Sequence, residues 1–173
     1  MLEDLKLMIP GPCELDDSVL AEMSRPMVAH YGSEWAGLYN ATCQYLKRLL
    51  NTENDTFVTV GSGHLALETI IGNVVCPGDV IVIVNNGHFA NRAVEIATIY
   101  GAKVIGIDLA WGASVTAEQV EAVLKEQRKV TAVLVVHNET STGAVNPIKD
   151  IGEVTSKYDA LFLVDGVSSV GSM

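Results

Sequence analysis

Apolar and polar positions follow two different periods along this chain. From residue 57 onward, short runs rich in β-branched residues are apolar at consecutive positions, which is typical of parallel strands buried on both faces. The runs are FVTVG (57–61), DVIVIVN (79–85), AKVIGI (102–107), VTAVLVVH (130–137) and ALFLVD (160–165). We therefore predict a mostly parallel sheet.

The segments between these runs have the apolar spacing of amphipathic helices. Thr116 is a typical helix N-cap with acidic residues after it, and Gly101 is a typical left-handed residue after a helix end. The predicted helices cover residues 63–75, 89–101, 116–128 and 148–158. Strands that alternate with helices predict an α/β fold, an open sheet with helices on both faces.

The first 55 residues have a different pattern, because they contain helical periodicity without strand-like runs. Residues 16–27 and 34–50 are the predicted helices. An apolar stripe on the second helix is formed by Leu38, Thr42, Tyr45 or Leu46, and Leu49. We predict an N-terminal helical arm over residues 1–55, which packs on the sheet domain or on a second subunit, and an α/β domain over residues 56–173.

Composition and charge narrow the classes of function. The chain has 173 residues, of which 49% are hydrophobic and 18% charged, as in ordinary globular domains. Its net charge of -10, with no Lys/Arg cluster beyond the pairs Lys47-Arg48 and Arg128-Lys129, argues against nucleic acid or an anionic membrane as a partner. The apolar runs are too short to span a membrane, and the opening MLEDLKLMIPGP is acidic where a signal peptide is basic, so we expect a cytoplasmic protein.

The cysteines and histidines have no metal-ligand spacing. The cysteines, which are odd in number and lack a CxxC pair, are expected to be free thiols, and no metal site is expected. These residues are Cys13, Cys43, Cys76, His30, His64, His88 and His137.

Chemically active side chains occur where the predicted strands end, which is the edge at which open parallel sheets bind ligands. The first run ends in the segment GSGHLALE (61–68), in which Gly61 and Ser62 come directly before the predicted helix that Gly63 begins. A hydroxyl, small residues and free N–H groups at a helix start favour phosphate binding, although a plain strand-to-helix turn has the same appearance. The segment is neither a GxGxxG dinucleotide motif nor a P-loop, which disfavours NAD and ATP.

Two further strand ends carry polar groups. The fourth run leads into a loop of hydroxyl and amide residues, residues 137–142, and the last run ends in Asp165. Alone, such a loop is most often a turn and such an aspartate most often a helix cap. Together with the phosphate-binding turn they favour pyridoxal phosphate, because a carboxylate near the pyridine nitrogen keeps that nitrogen protonated and the ring electron-poor.

The order of these motifs resembles the class V, fold-type I, pyridoxal-phosphate aminotransferases, in particular the alanine-glyoxylate or serine-pyruvate (serine-glyoxylate) aminotransferase group. The resemblance covers nearly the whole chain. It is carried by IPGPCELDDSVLAEMSRPMVAHYGSEW (9–35), GSGHLALE (61–68), NGHFANRAVEIA (86–97), HNETSTGAVNP (137–147) and LVDGVSSVG (163–171). It implies transfer of an amino group from alanine or serine to a 2-oxo acid such as glyoxylate or pyruvate, in a homodimer.

The resemblance also implies roles for single residues. Ser62, Gly63 and His64 would hold the cofactor phosphate, and Phe89 would stack on the ring, at a position where many relatives have Trp. Thr140 would lie near the ring hydroxyl and Asp165 would pair with the ring nitrogen. A further set resembles family residues on the substrate side or at the dimer interface, with a structural role equally open: Gly11, His30 and Ser33.

Other interpretations of the sequence remain open. A cysteine desulfurase or selenocysteine lyase resembles the chain less, because its loop has a different spacing from the one that Glu139 and Pro147 frame here. A 2-aminoethylphosphonate aminotransferase has a similar loop, and His64 favours the glyoxylate group. The family's Schiff-base lysine follows its aspartate, and residues 166–173 contain no Lys. We therefore expect an incomplete large domain that is inactive alone, and a non-catalytic fragment is the remaining reading.

Overall fold

A computed structural model describes residues 6–173 of the chain. Residues 1–5, part of the acidic opening segment, lie outside the described residues. The chain divides into two compact units, Met1–Val60 and Gly61–Met173. The domain boundary after residue 55 stays a prediction.

In its described part, residues 6–60, the first unit contains two helices, α1 (Asp17–Met23) and α2 (Gly32–Leu49). Helix α1 starts where Asp16 accepts a hydrogen bond from the backbone N–H of Ser18 at 2.9 Å. It ends before Pro26, which has no N–H to continue a helix, and is therefore shorter than the predicted 16–27. Neither helix has a large buried face, since α1 buries none of its residues and α2 buries Cys43 alone.

The predicted strand over residues 57–61 is wrong. These residues are in no strand, and Val60 is completely exposed. A strand needs a neighbouring strand for its backbone N–H and C=O groups, and none of the described residues of the first unit forms one. The apolar run therefore has the composition of a strand without a pairing partner.

The other predicted strands form a four-stranded parallel sheet in the second unit. Its strands are β1 (Val80–Asn85), β2 (Lys103–Asp108), β3 (Ala132–Val136) and, last in the chain, β6 (Leu161–Asp165). The spatial order is β2-β1-β3-β6. In this register Val136, the last residue of β3, lies beside Asp165 of β6, so the carboxyl ends of the central strands lie together.

Helices pack on both faces of this sheet, which confirms the predicted α/β fold. They are α3 (Gly63–Val74), α4 (His88–Ile99), α5 (Ala117–Glu126) and α6 (Ile148–Thr155). Alternate strand residues separate the core into two layers. Val82 and Val133 pack with α5 and α6, whereas Ile83 and Leu134 pack with α3 and α4.

The predicted helix ends rest on local chemistry and agree with the structure. Thr116 caps α5 in a full capping box, in which Gln119 donates its backbone N–H to the Thr116 hydroxyl and its side chain accepts the Thr116 N–H. Gly101 follows α4 with a φ of +80°.

A short antiparallel hairpin follows β3, where the sequence predicts a polar loop. Its strands are β4 (Asn138–Glu139) and β5 (Ala144–Val145), and Gly143 takes a φ of +78° in the turn. The hairpin places Thr140 directly after β4, at the carboxyl end of the sheet.

Candidate active site

The proposed phosphate turn lies at the start of α3. Ser62 is the N-cap, and its hydroxyl accepts the N–H of Leu65 at 3.4 Å, a long hydrogen bond. The N–H groups of Gly63 and His64 belong to the first turn and have no intrahelical acceptor. The turn is thus both a capped helix start and a place where free N–H groups and the helix dipole favour an anion.

The glycines in this turn make room for protein side chains. A Cβ on Gly63 would lie 2.8 Å from Cγ2 of Val167, and a Cβ on Gly61 would collide with the side chain of Leu65. The sequence suggested that these glycines admit a ligand close to the backbone. The structure shows in addition that Gly63 admits the segment that follows Asp165.

An aromatic ring lies beside the phosphate turn. Phe89 is in the first turn of α4 and is half-buried. Its ring centroid is 5.8 Å from that of His64 and 5.3 Å from that of His88. Phe89 therefore offers a ring next to the helix start that could hold a phosphate.

Thr140 lies between β4 and the turn of the hairpin, and its side chain is half-buried. Its hydroxyl forms no hydrogen bond to any other residue within 6–173. A half-buried hydroxyl without a protein partner is available to a ligand.

Asp165 ends β6, and its carboxylate is half-buried. Oδ1 accepts the N–H of Val167 at 3.1 Å, which closes a short turn. Oδ2 has no hydrogen-bond partner in the described part of the chain. The aspartate therefore stabilises its own turn, as the sequence allowed, and still presents one free oxygen.

Contacts between neighbouring segments bring these residues together. His64 lies against Phe89, and Gly63 lies against the Val167 segment beside Asp165. The hydroxyl of Ser168 donates to the backbone C=O of Asn138 at 3.1 Å. This hydrogen bond joins the Asp165 turn to the hairpin that carries Thr140. All six residues predicted for cofactor binding, Ser62, Gly63, His64, Phe89, Thr140 and Asp165, therefore line one edge of the second unit.

Gly11, His30 and Ser33 lie in the first unit and are exposed there. Gly11 has a φ of +129°, a conformation that favours glycine. His30 contacts Tyr31 edge-on, with ring centroids 5.2 Å apart. These observations leave their role on the substrate side as a prediction.

Sequence reasoning missed the function of Glu139, which it used only to measure loop spacing. The Glu139 side chain is completely buried and accepts the N–H of Ala90 at 3.0 Å. The available signal was indirect: α4 starts after Gly87, which has no side chain to cap a helix, so that an acceptor had to come from elsewhere.

The chemistry that this edge offers is specific. It combines free helix N–H groups and a hydroxyl for a phosphate, an aromatic face for a ring, and a carboxylate oxygen for a basic nitrogen. No group of three or more His, Cys, Asp or Glu side chains suited to a metal ion occurs in residues 6–173. Within the same residues, no helix combines the length and apolarity that crossing a membrane requires.

Comparison with known proteins gives one family. The profile described as aminotransferase class-V matches residues 17–173. An uncharacterized aminotransferase of Methanocaldococcus jannaschii is 43% identical over 95% of this chain and 43% of its own length. Mouse alanine–glyoxylate aminotransferase is 38% identical over 96% of the chain and 40% of its own length. The chain thus spans about two fifths of the length of these relatives.

Solved structures agree with the sequence matches. The crystal structure of ureidoglycine-glyoxylate aminotransferase from Bacillus subtilis superposes with a TM-score of 0.90, at 36% identity, over 95% of this chain and 42% of that one. A cysteine desulfurase from Thermococcus onnurineus superposes with a TM-score of 0.59 at 18% identity, over 73% of this chain and 32% of that one. At that identity the desulfurase shares the fold alone, and the desulfurase alternative is not favoured.

Proposed function

The chain belongs to the class-V aminotransferase family, and from that premise we propose that the whole protein transfers an amino group from a small amino acid, alanine or serine, to glyoxylate or pyruvate. The family implies pyridoxal phosphate as the cofactor. Relatives that carry glyoxylate aminotransferase names match nearly all of this chain, which supports glyoxylate as the acceptor.

The observation that carries the proposal is the single edge on which the predicted cofactor residues meet. Ser62 and the free N–H groups of Gly63 and His64 would hold the phosphate. Phe89 would cover one ring face, and the free hydroxyl of Thr140 would hydrogen-bond near the ring oxygen. The hydrogen-bond donors and the aromatic ring of these residues thus match the phosphate, the ring face and the ring oxygen of the cofactor.

Asp165 has the electrostatic role in this proposal. Its free Oδ2 would accept a hydrogen bond from the protonated ring nitrogen, and its negative charge would keep that nitrogen protonated. When bound, pyridoxal phosphate supplies an electron sink for the electron pair that remains on the substrate Cα when a bond to that carbon breaks. The turn closed by the N–H of Val167 orients the carboxylate for this contact.

The direct test is a transamination assay of the whole protein. Alanine or serine with glyoxylate should yield glycine only when pyridoxal phosphate is present, and 2-aminoethylphosphonate should be a poor donor. Pyruvate and 2-oxoglutarate in place of glyoxylate test the acceptor. Release of sulfide from cysteine without any transamination would contradict the proposal and favour a desulfurase.

A homodimer is the proposed assembly. Its support is the exposed apolar surface of the first unit, where Leu38, Tyr45 and Leu49 of the predicted stripe are 52%, 65% and 56% exposed. Helix α1 adds Val19, Leu20 and Met23, which are also exposed. Sedimentation should give twice the monomer mass at micromolar concentration, and substitution of Leu38 and Tyr45 by Ser should shift the protein towards monomer. A monomer at every concentration would contradict this assembly.

The proposed location is the cytoplasm, and the support is the state of the cysteines. Cys13, Cys43 and Cys76 are free, and Cys13 and Cys76 are exposed. Exposed free thiols persist in a reducing compartment. Cell fractionation with a thiol-reactive label tests this location.

A further inference from the structure

Two tripeptides hydrogen-bond to each other across the candidate site. His88, Phe89 and Ala90 form the first turn of α4, and residues 139–141 begin the hairpin turn. The N–H of His88 donates to Oγ of Ser141 at 3.0 Å, and the N–H of Ala90 donates to Oε2 of Glu139 at 3.0 Å. Phe89 and Thr140, the two proposed ring contacts, are the middle residues of these tripeptides.

Glu139 has its hydrogen bonds satisfied inside the protein. Oε1 accepts the N–H of Ser141 at 3.1 Å and its hydroxyl at 2.6 Å, while Oε2 accepts the N–H of Ala90. Burial of a carboxyl group is costly unless such donors surround it, and a helix start is a favourable place for it. These bonds give α4 the caps that its own N-cap, Gly87, lacks.

Gly87 provides a second observation. Its φ is 176°, an extended conformation that any residue adopts, so the backbone does not require glycine. A Cβ at this position, however, would lie 2.6 Å from Cδ of Glu139 and 2.7 Å from Oγ of Ser141. Glycine is therefore required here by the closeness of the Glu139 and Ser141 side chains.

We propose that Glu139 and Ser141 are positioning residues that set the place of Phe89 relative to Thr140 around the cofactor ring. This inference rests on the proposed function. Neither side chain needs to touch the cofactor, because their polar atoms are already engaged with α4 and with each other. We call this set of hydrogen bonds the α4 brace.

The first experiment tests the brace in the cofactor-free whole protein. Glu139→Gln keeps the shape but replaces one acceptor oxygen by an NH2 group, so one bond to an N–H must be lost. Hydrogen exchange of the His88 and Ala90 amides should become about tenfold faster, since local opening is easier. The matched control is Glu95→Gln, an exposed position on the same helix, which should leave these amides unchanged. Equal exchange in both variants would overturn the brace.

The second experiment tests positioning in the loaded protein. In Glu139→Gln we expect altered visible circular dichroism of the bound cofactor and a kcat about ten- to a hundredfold lower, because small misplacements of contact residues are costly in rate. The KM and the cofactor Kd should change much less. Ser141→Ala should shift the same readouts in the same direction and serves as the second variant where Glu139→Gln folds poorly.

Gly87→Ala supplies an independent check, because it displaces the brace without changing a polar group. It should reproduce the dichroism change of Glu139→Gln. In a background that carries both Glu139→Ala and Ser141→Ala, where both colliding side chains are shortened, Gly87→Ala should add little, so its effect and theirs are non-additive.

The outcomes separate the two proposals. The wild-type protein could bind pyridoxal phosphate and transaminate while Glu139→Gln and Ser141→Ala equal it in dichroism and kcat. That result would overturn the positioning role alone. A lower melting temperature with unchanged dichroism and kcat would also overturn it, since the role would then be purely structural. A wild-type protein that does not bind pyridoxal phosphate would overturn the proposed function and with it this role, whatever the exchange data show.

Discussion

Asp165 divides its carboxylate between structure and chemistry. One oxygen holds the N–H of Val167, and the other has no partner among residues 6–173. This division makes Asn a discriminating substitution, because Asn keeps an acceptor for the turn and loses the charge. Replacement of one carboxylate oxygen of Asp165 by the NH2 group of Asn therefore separates the contribution of this residue to the fold from its proposed contribution to the reaction.

The first prediction concerns this charge. Asp165→Asn in the whole protein should lower kcat at least about tenfold, which corresponds to about 1.4 kcal/mol in the barrier, while the melting temperature stays close to that of the wild type. The physical reason is the loss of the negative partner of the ring nitrogen. Asp159→Asn, an exposed position just before β6, is the control and should leave kcat unchanged. Equal rates for wild type and Asp165→Asn would remove Asp165 from the reaction.

The second prediction concerns Gly63. Gly63→Ala should lower the free energy of unfolding by about 1 kcal/mol, because its Cβ forces Val167 to move and Val167 is exposed enough to yield partly. Gly37→Ala in α2, where nothing lies within 4 Å, should raise the same free energy by about 0.5–1 kcal/mol. Urea denaturation measures both. A gain in stability from Gly63→Ala would contradict the close packing of Gly63 and Val167.

At the scale of elements, helix starts in the second unit are stabilised in two ways. Helix α5 carries its own capping box at Thr116, within four residues of sequence. Helix α4 takes its caps from Glu139 and Ser141, which lie 49 and 53 residues further along the chain. The first kind can form while the rest of the chain is unfolded, whereas the second needs the sheet to be in place.

The third prediction follows from the local cap. Thr116→Ala should lower the free energy of unfolding by about 1 kcal/mol, since the N–H of Gln119 loses its acceptor. Thr98→Ala is the matched control, because the Thr98 hydroxyl bonds to the C=O of Val94 inside the helix and Ala has the higher helix propensity. Chemical denaturation should show a loss for the first variant and none for the second. Similar losses in both would mean that the capping box contributes nothing specific.

At the scale of the whole molecule, the positions of the lysines restrict covalent chemistry. Lys103 begins β2 and Lys129 precedes β3, at the amino ends of the strands, opposite to the candidate site. Lys125 is in α5, Lys149 is in α6 and Lys157 is in the short 3-10 helix Ser156–Tyr158 that precedes β6. Lys6 is in the first unit. Lys47 is engaged with Asp55 in the first unit.

The fourth prediction is that no lysine among these 173 residues becomes the specific attachment point of the cofactor. Incubation of the 173-residue chain with pyridoxal phosphate, borohydride reduction and peptide mass spectrometry should give only low, scattered modification, because the amine must lie at the carboxyl edge of the sheet to reach the cofactor. The whole protein treated in the same way is the control. A stoichiometric adduct on one lysine of the 173-residue chain, together with turnover, would contradict this prediction.

The sequence by itself determined the features that depend on neighbours along the chain. Buried strands such as Val80–Asn85 and the cap at Thr116 were predictable, because apolar runs and capping chemistry act within a few residues. Ser62, Gly63, Asp165 and the loop that contains Thr140 could be named for the same reason, since strand ends and glycine-rich turns are local patterns. His64 and Phe89 were named from the family resemblance instead. The roles of all six residues stay predictions.

Tertiary structure alone decided the features that need a distant partner. Residues 57–61 have the composition of a strand but lack a neighbouring strand, and the polar loop after β3 is a hairpin. The burial of Glu139 against the start of α4 depends on a contact across 49 residues, which no local pattern contains. Backbone pairing and buried hydrogen bonds are satisfied by whichever group the fold brings near, so they exist only once the fold is complete.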